Sequence, residues 1–185
     1  EWATEYETEI DNNFGYTGPQ RTVDLAIKYI AKDSKILDAG AGTGLAGQLL
    51  YNQGYYELEA LDLTDEMLDE ARKKNVYKKY HKGIMGESLD LPDDFFDSII
   101  AVGVFTYGHA PANSFDELIR IAKPGGHIIF TLPIDNYQDN DDFKQKMDSL
   151  ETSDKWQLLE RGEKFQMLPK VKPDFYKQVW VYKIN

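Results

Sequence analysis

The strongest constraint on the fold of this chain is a glycine-rich turn that joins a short apolar run to a helical segment. Residues 35–39 predict a buried strand, and residues 45–53 predict a helix that stops at Gly54. Three glycines stand between them within residues 40–44. Glycine lets the backbone approach a ligand closely, and the amino terminus of the following helix attracts negative charge. The turn therefore predicts an α/β fold with a nucleotide cofactor at this loop.

Strand and helix segments alternate through most of the sequence. Further strands are predicted at residues 56–61, 80–85, 96–102 and 127–132, and further helices at residues 20–31, 64–74, 114–122 and 141–149. A turn is predicted at residues 123–126, which read Lys-Pro-Gly-Gly. Such alternation implies parallel strands joined by right-handed crossovers.

The last two predicted strands, residues 157–168 and 176–184, have no helix between them, so we expect them to pair antiparallel. The whole pattern predicts a Rossmann-like α/β fold. Its seven-stranded sheet would be mostly parallel, with an antiparallel C-terminal strand and helices on both faces. We expect one domain over residues 1–185, with an N-terminal lid and helix (1–34), a cofactor-binding core (35–132) and a C-terminal helix and hairpin (133–185).

Charge and composition disfavour several classes of function. The formal net charge of −11 repels phosphate backbones, so nucleic acid is not an expected partner. The chain has no cysteine, which excludes disulfides, thiolate zinc sites and cysteine nucleophiles within it. No apolar run is long enough to span a membrane, and we expect a cytoplasmic protein. No spacing of His, Asp and Glu residues in the sequence suggests a metal site. The sequence carries no signal of the oligomeric state.

Two acidic residues narrow the choice of cofactor. Residues 42–47 match the dinucleotide pattern GxGxxG, but Asp38 ends the preceding strand, where a carboxylate would face a pyrophosphate. A cofactor with an amino-acid end suits Asp38 better, because the acid can balance an ammonium group directly or through water. Asp62 ends the second predicted strand, where it can accept hydrogen bonds from ribose hydroxyls. Asp62 fits NAD and S-adenosylmethionine (SAM) equally.

Five segments in order resemble the motifs of class I SAM-dependent methyltransferases. Residues 37–44 (LDAGAGTG) resemble motif I, 61–68 (LDLTDEML) the second-strand segment, 86–92 (GESLDLP) the adenine-capping segment, 96–101 (FDSIIA) the fourth strand and 121–126 (IAKPGG) the turn into the fifth strand. The opening residues 2–6 and 16–19 are similar to those of the methyltransferase-like 27 group. The ordered set is much more specific than any single segment.

The resemblance implies a role for each matching residue. The methionine part of SAM would be surrounded by Asp38, Gly40, Gly42 and Gly44. The ribose would bind Asp62, and the adenine would contact Leu63, Glu87 and the Ser88 backbone, with Val102 beneath the cofactor. Glu87 departs from the Asp usual at its position, which puts that contact in doubt. Simpler structural roles also exist, because Asp62 could cap a helix and Leu63 could be core.

The methyl acceptor is expected above the carboxyl ends of the fourth and fifth strands. His109 is the best candidate for a catalytic base because its pKa is ordinarily near neutral, although a structural loop histidine is an alternative. Tyr107, Asp135, Tyr6 and Tyr16 are weaker candidates for the same pocket.

The expected reaction is methyl transfer from SAM to a small-molecule or protein acceptor by in-line displacement. Residues 102–105 lack the Asn/Asp-Pro-Pro-Tyr/Phe pattern of enzymes that methylate adenine or glutamine amino groups. Two alternatives stay open, a catalytically silent SAM-binding protein and an NAD-linked oxidoreductase.

Overall fold

A computed structural model describes residues 15–106, 108–134 and 141–185, and its elements follow the predicted alternation. The helices are α1 (Gly18–Ala26), α2 (Leu45–Asn52), α3 (Asp65–Lys73), α4 (Ser114–Ile121) and α5 (Asp142–Thr152). The strands are β1 (Ile36–Ala39), β2 (Leu58–Asp62), β3 (Lys79–Lys82), β4 (Phe96–Ala101), β5 (Ala122–Pro133), β6 (Trp156–Arg161), β7 (Phe165–Leu168) and β8 (Lys172–Ile184).

The strands form one mixed sheet in the order β3-β2-β1-β4-β5-β8-β6, with β7 also paired to β8. The pairs from β3 to β5 are parallel, and β8 is antiparallel to β5, β6 and β7. The chain builds from β1 outward to β3, then returns to β4 on the other side of β1. The carboxyl ends of β1 and β4 therefore flank the point where the strand order reverses, which is where open α/β sheets bind ligands.

The structure describes eight strands where the sequence predicted seven. The segment predicted as one strand over residues 157–168 is two strands, β6 and β7, interrupted at Gly162–Lys164. Both halves pair with β8, which has 13 residues and is long enough to hold them end to end. The Gly162 N–H donates to the Val179 carbonyl at 2.8 Å. The segment between β6 and β7 is therefore hydrogen-bonded to β8.

The predicted turn at residues 123–126 is a bulge inside β5. Phe96 of β4 pairs with Ala122, and Ser98 pairs with His127, so four residues of β5 stand opposite Asp97 alone. Gly125 has a φ of +81°, which glycine adopts without a steric penalty. A Cβ on Gly126 would come within 2.6 Å of the Asp97 carbonyl oxygen. The helix α4 ends at Ile121, before the predicted turn, and the two glycines lie within the strand that follows it.

The sheet is covered on both faces, as predicted. Side chains alternate along β4, so Ile99 and Ala101 join the core beneath α4 and α5, while Ile100 and Val102 join the core beneath α1, α2 and α3. Every residue of β1 is buried, since helices shield both sides of it. This packing fixes the strand ends from which the candidate site is built.

Candidate functional site

A cavity of about 430 Å³ opens at the carboxyl ends of β1, β2 and β4. Its volume lies within the usual range for small-molecule sites. It is lined by Tyr16, Gly40, Gly42 and residues 61–64, 67, 83–85, 102–104 and 108–110. The structure therefore brings Gly40, Gly42, Asp62, Leu63, Val102 and His109 of the predicted site into one wall.

The glycine turn is held against β2 by backbone hydrogen bonds. The N–H groups of Gly40 and Ala41 both donate to the Leu61 carbonyl, at 2.8 and 2.9 Å. A Cβ on Gly40 would come within 2.3 Å of the Val104 side chain, so glycine is needed there for packing. At Gly42, with a φ of +54°, a Cβ would meet nothing within 4 Å. Gly42 therefore leaves open the space where a ligand can approach the backbone.

Asp62 connects the glycine turn to the start of α3. One carboxylate oxygen accepts from the Gly42 N–H at 2.8 Å, and the other accepts from the Thr64 N–H at 3.2 Å. Thr64 in turn caps α3 by accepting from the Met67 N–H at 3.3 Å. A carboxylate has about four acceptor positions, so Asp62 keeps capacity toward the cavity.

One side of the cavity is apolar and open to solvent. Leu63 is 54% exposed and Ile84 is 44% exposed, which is unusual for large aliphatic side chains on a strand end and a loop. Met67 and Met85 complete this side. Sequence reasoning missed Met67, Ile84 and Met85, although an apolar pair bracketed by Gly83 and Gly86 was a readable signal.

Asp38 lies beneath the glycine turn and not in the cavity wall. It is 2% exposed, and its carboxylate accepts a hydrogen bond from the Tyr77 hydroxyl at 2.6 Å. Burial raises the pKa of Asp38 to about 6, although the hydrogen bonds from Tyr77 and the Gly47 backbone oppose this shift. In this arrangement Asp38 does not directly face a ligand in the cavity.

Tyr77 also explains the misleading GxGxxG match. A Cβ on Gly47 would lie 2.1 Å from the Tyr77 hydroxyl, and one on Gly44 would lie 3.0 Å from the ring. Gly44 has a φ of +87° at the start of α2 and does not line the cavity. Both glycines serve the packing of Tyr77, and the dinucleotide interpretation of Gly47 is unnecessary.

Another side of the cavity is formed where β4 ends. Val102 is nearly buried, and the Gly103 N–H donates to the Thr131 hydroxyl of β5 at 2.8 Å. Tyr16 reaches this point, because a Cβ on Gly103 would come within 2.4 Å of its hydroxyl. The exposed His109 lies in the adjoining wall of the cavity, and its backbone N–H donates to the Thr106 carbonyl at 3.1 Å.

Glu87 and Ser88 are exposed and lie outside the residues that line the cavity. Their predicted contact with adenine stays a prediction. Tyr6, Tyr107 and Asp135 fall outside the described residues, as does the opening segment at residues 2–6.

A larger groove of about 720 Å³ lies between α1 and the strands β6 to β8. Two of its lining residues, Lys28 and Glu160, form an ion pair at 3.5 Å. It has no glycine turn and no parallel strand ends, so the smaller cavity is the better candidate for a nucleotide site.

Over residues 15–106, 108–134 and 141–185, no group of three His, Asp or Glu side chains is arranged to hold a metal ion. Within the same ranges, no helix has both the length and the apolar character needed to cross a bilayer.

Comparison with known proteins bears on the same segment that builds the cavity. Residues 37–130 match the family model described as a methyltransferase domain. Over 164 residues the chain is 29% identical to human methyltransferase-like protein 27, which covers 85% of this chain and 66% of that relative. It is 34% identical over 115 residues to a malonyl-[acyl-carrier protein] O-methyltransferase of Serratia marcescens, covering 62% of this chain and 44% of that relative.

The fold is shared with solved structures at low sequence identity. A TehB-like SAM-dependent methyltransferase from Corynebacterium glutamicum superposes with a TM-score of 0.70 at 19% identity. The match covers 99% of this chain and 98% of that one. The Rossmann-like fold predicted from the sequence is therefore confirmed.

Proposed function

The chain belongs to the methyltransferase domain family, and on that premise we propose that it transfers a methyl group from SAM to an acceptor. The observation that carries the proposal is the cavity at the carboxyl ends of β1, β2 and β4. There the open Gly42 backbone, the Asp62 carboxylate and the exposed Leu63 side chain face one space.

The polar end of the cavity suits the ribose and methionine parts of SAM. Asp62 keeps unused acceptor positions after binding the Gly42 and Thr64 N–H groups, and these can take the ribose hydroxyls. A Cβ on Gly42 would meet no protein atom within 4 Å. The space beside the Gly42 backbone is therefore open to the ligand. Asp38 supports the turn from below through Tyr77 and need not touch the ligand.

The apolar side suits the adenine ring. Leu63 and Ile84 leave about half of their surfaces exposed, so a flat apolar ligand can cover them without any rearrangement of the core. Covering about 100 Å² of such surface is worth about 2.5 kcal/mol. The resemblance assigns the adenine amino group to Glu87, and we keep that assignment as a prediction.

When bound, SAM supplies an electrophilic methyl group on a sulfonium centre. The chain's own contribution is to align the acceptor with that methyl group and to exclude water. Gly103 and Val104 form the wall on this side, with Gly103 fixed by its hydrogen bond to Thr131. Tyr16 narrows the opening above Gly103.

His109 is the described residue best placed to accept a proton from the acceptor. It lies in the cavity wall on the loop that follows β4. A base is needed only where the acceptor is a hydroxyl or a protonated amine. The acceptor is a small molecule or a protein side chain, and the names of the curated relatives include both O- and N-methyltransferases.

Turnover with labelled cofactor tests the proposal. SAM carrying a tritiated methyl group would be incubated with panels of small carboxylic, hydroxyl and amine acceptors and with acceptor peptides. We expect labelled product and S-adenosylhomocysteine from at least one class, both reduced at least tenfold by Asp62→Asn. Tight SAM binding without turnover on any class would support a silent SAM-binding protein instead.

A further inference from the structure

Lys177 is a buried cation on β8 that the proposed cofactor site does not use. Its side chain is 2% exposed, and its neighbours in register are Pro133 of β5 and Phe165 of β7. In the described parts of the chain, no carboxylate forms an ion pair or hydrogen bond with its ammonium group. Burial lowers the pKa of Lys177 to about 8. Among the residues that the structure describes, this ammonium group lacks the carboxylate partner that buried charges normally have.

Lys177 lies near the edge of the sheet that holds the cavity. Because β8 runs antiparallel to β5, residues before Lys177 lie beyond Pro133, past the carboxyl end of β5. The Lys177 Nζ atom lies 5.4 Å from the ring centroid of Phe175, which is two residues earlier on the same face. Lys177 therefore lies near the carboxyl end of β5, at the edge of the sheet where β1 and β4 also end.

Lys177 shares a face of the sheet with the acceptor wall of the cavity. Val179 follows Lys177 on that face, and its partner across the pair is Thr131. The Thr131 hydroxyl accepts from the N–H of Gly103, which lines the cavity. A single pair of strands thus connects the buried cation to the point where the acceptor must lie.

Two rotatable side chains, those of Tyr16 and Met167, lie beside the Gly103 end of this path. Tyr16 comes close to Gly103, and the terminal methyl of Met167 would lie 3.6 Å from a Cβ there. Methionine has three rotatable bonds and adapts easily to a new neighbour. An acceptor group can therefore reach the buried face beside Gly103 without displacing a strand.

We propose that Lys177 binds a carboxylate of the methyl acceptor and so makes the enzyme selective for anionic acceptors. The inference rests on the proposed function and names the acceptor class for the same cavity. One isolated positive charge among Phe165, Phe175 and Pro133 matches a single negative charge on an otherwise apolar molecule. A phosphate dianion carries close to two negative charges at neutral pH, which one ammonium group does not balance.

Binding of benzoate and of its neutral analogue benzamide tests the proposal. Calorimetry would be done on the full chain with saturating S-adenosylhomocysteine, whose own binding is measured first. We expect benzoate to bind at least tenfold more tightly than benzamide. Lys177→Met and Lys177→Gln should both remove this preference, and Lys177→Arg should retain part of it. All three variants should bind S-adenosylhomocysteine as the wild type does.

Two controls separate a binding role from a structural one. Lys164→Met removes an exposed lysine of the same hairpin and should leave the benzoate preference intact. Lys177→Met should melt no lower than the wild type, because it removes an unpaired buried charge. A wild type without preference for benzoate, a preference that survives Lys177→Met, or tighter binding of inorganic phosphate than of benzoate would overturn the proposal. Failure to bind S-adenosylhomocysteine would instead count against the proposed function.

Discussion

Replacing Gly47 with Ala should destabilise this protein, although the same change usually strengthens a helix. Gly47 lies inside α2, where alanine is ordinarily favoured by about 1 kcal/mol. Here the new Cβ would lie 2.1 Å from the Tyr77 hydroxyl and 2.2 Å from the adjacent ring carbon. The Tyr77 ring therefore has to move, and its 2.6 Å hydrogen bond to the buried Asp38 is lost.

The expected magnitude follows from two opposing effects. Overpacking of a core costs about 1–3 kcal/mol, and loss of a hydrogen bond to a charged group costs about 1.5–3 kcal/mol. The better helix propensity of alanine offsets about 1 kcal/mol of that. We expect the free energy of unfolding of Gly47→Ala to fall by about 1.5–5 kcal/mol.

Urea denaturation followed by tryptophan fluorescence measures this change, because Trp156 and Trp180 are each 1% exposed and report on the core. Gln48→Ala, at an exposed position on the same helix, is the matched control and should change stability by less than about 0.5 kcal/mol. In a Tyr77→Leu background the clash is absent, so Gly47→Ala should become neutral or stabilising. A neutral Gly47→Ala in the wild type, or equal effects in both backgrounds, would refute the reasoning.

Three further changes test other parts of the account. Asp38→Asn should gain stability relative to the wild type as pH rises from about 4 to about 6, by up to about 3 kcal/mol. The buried carboxyl, whose pKa is raised to about 6, holds its proton more tightly when folded, so a pH-independent difference in urea titrations would contradict this. Gly42→Ala and Gly125→Ala both place an alanine at positive φ, and in both the new Cβ has no atom within 4 Å. The two variants should therefore lose similar stability, but only Gly42→Ala should weaken SAM binding. Equal SAM affinities in calorimetry would remove Gly42 from the site. Leu63→Ser should weaken SAM binding about fivefold with little change in melting temperature, whereas Leu158→Ser on β6 should not affect binding.

The fold could be predicted well because periodicity and glycine placement are local signals. The alternation of strands and helices and the position of the glycine turn both follow from short segments. The division of residues 157–168 into β6 and β7 could not be predicted, because it depends on the length of β8 on the other side of the pair. The bulge in β5 likewise depends on its pairing with β4.

The candidate site was only partly predictable, because several of its residues act through distant partners. Asp62 was predicted from its position at the end of β2 and Leu63 from the family resemblance, and the structure places both in the cavity wall. The hydrogen bond that the Asp38 carboxylate accepts from Tyr77, which is 39 residues away, could not be predicted, and the contact of Asp38 with the cofactor stays a prediction. The register that buries Lys177 between two strands is also invisible in a linear sequence.

Calorimetric titration of the purified chain with SAM, S-adenosylhomocysteine and NAD tests the central claim most directly. Asp62→Asn would be titrated alongside, with Asp65→Asn at an exposed site on α3 as the matched control. We expect micromolar binding of SAM and S-adenosylhomocysteine, none of NAD, and a loss of about tenfold, or about 1.4 kcal/mol, in Asp62→Asn alone. Binding of NAD, or of none of the three ligands, would contradict the account.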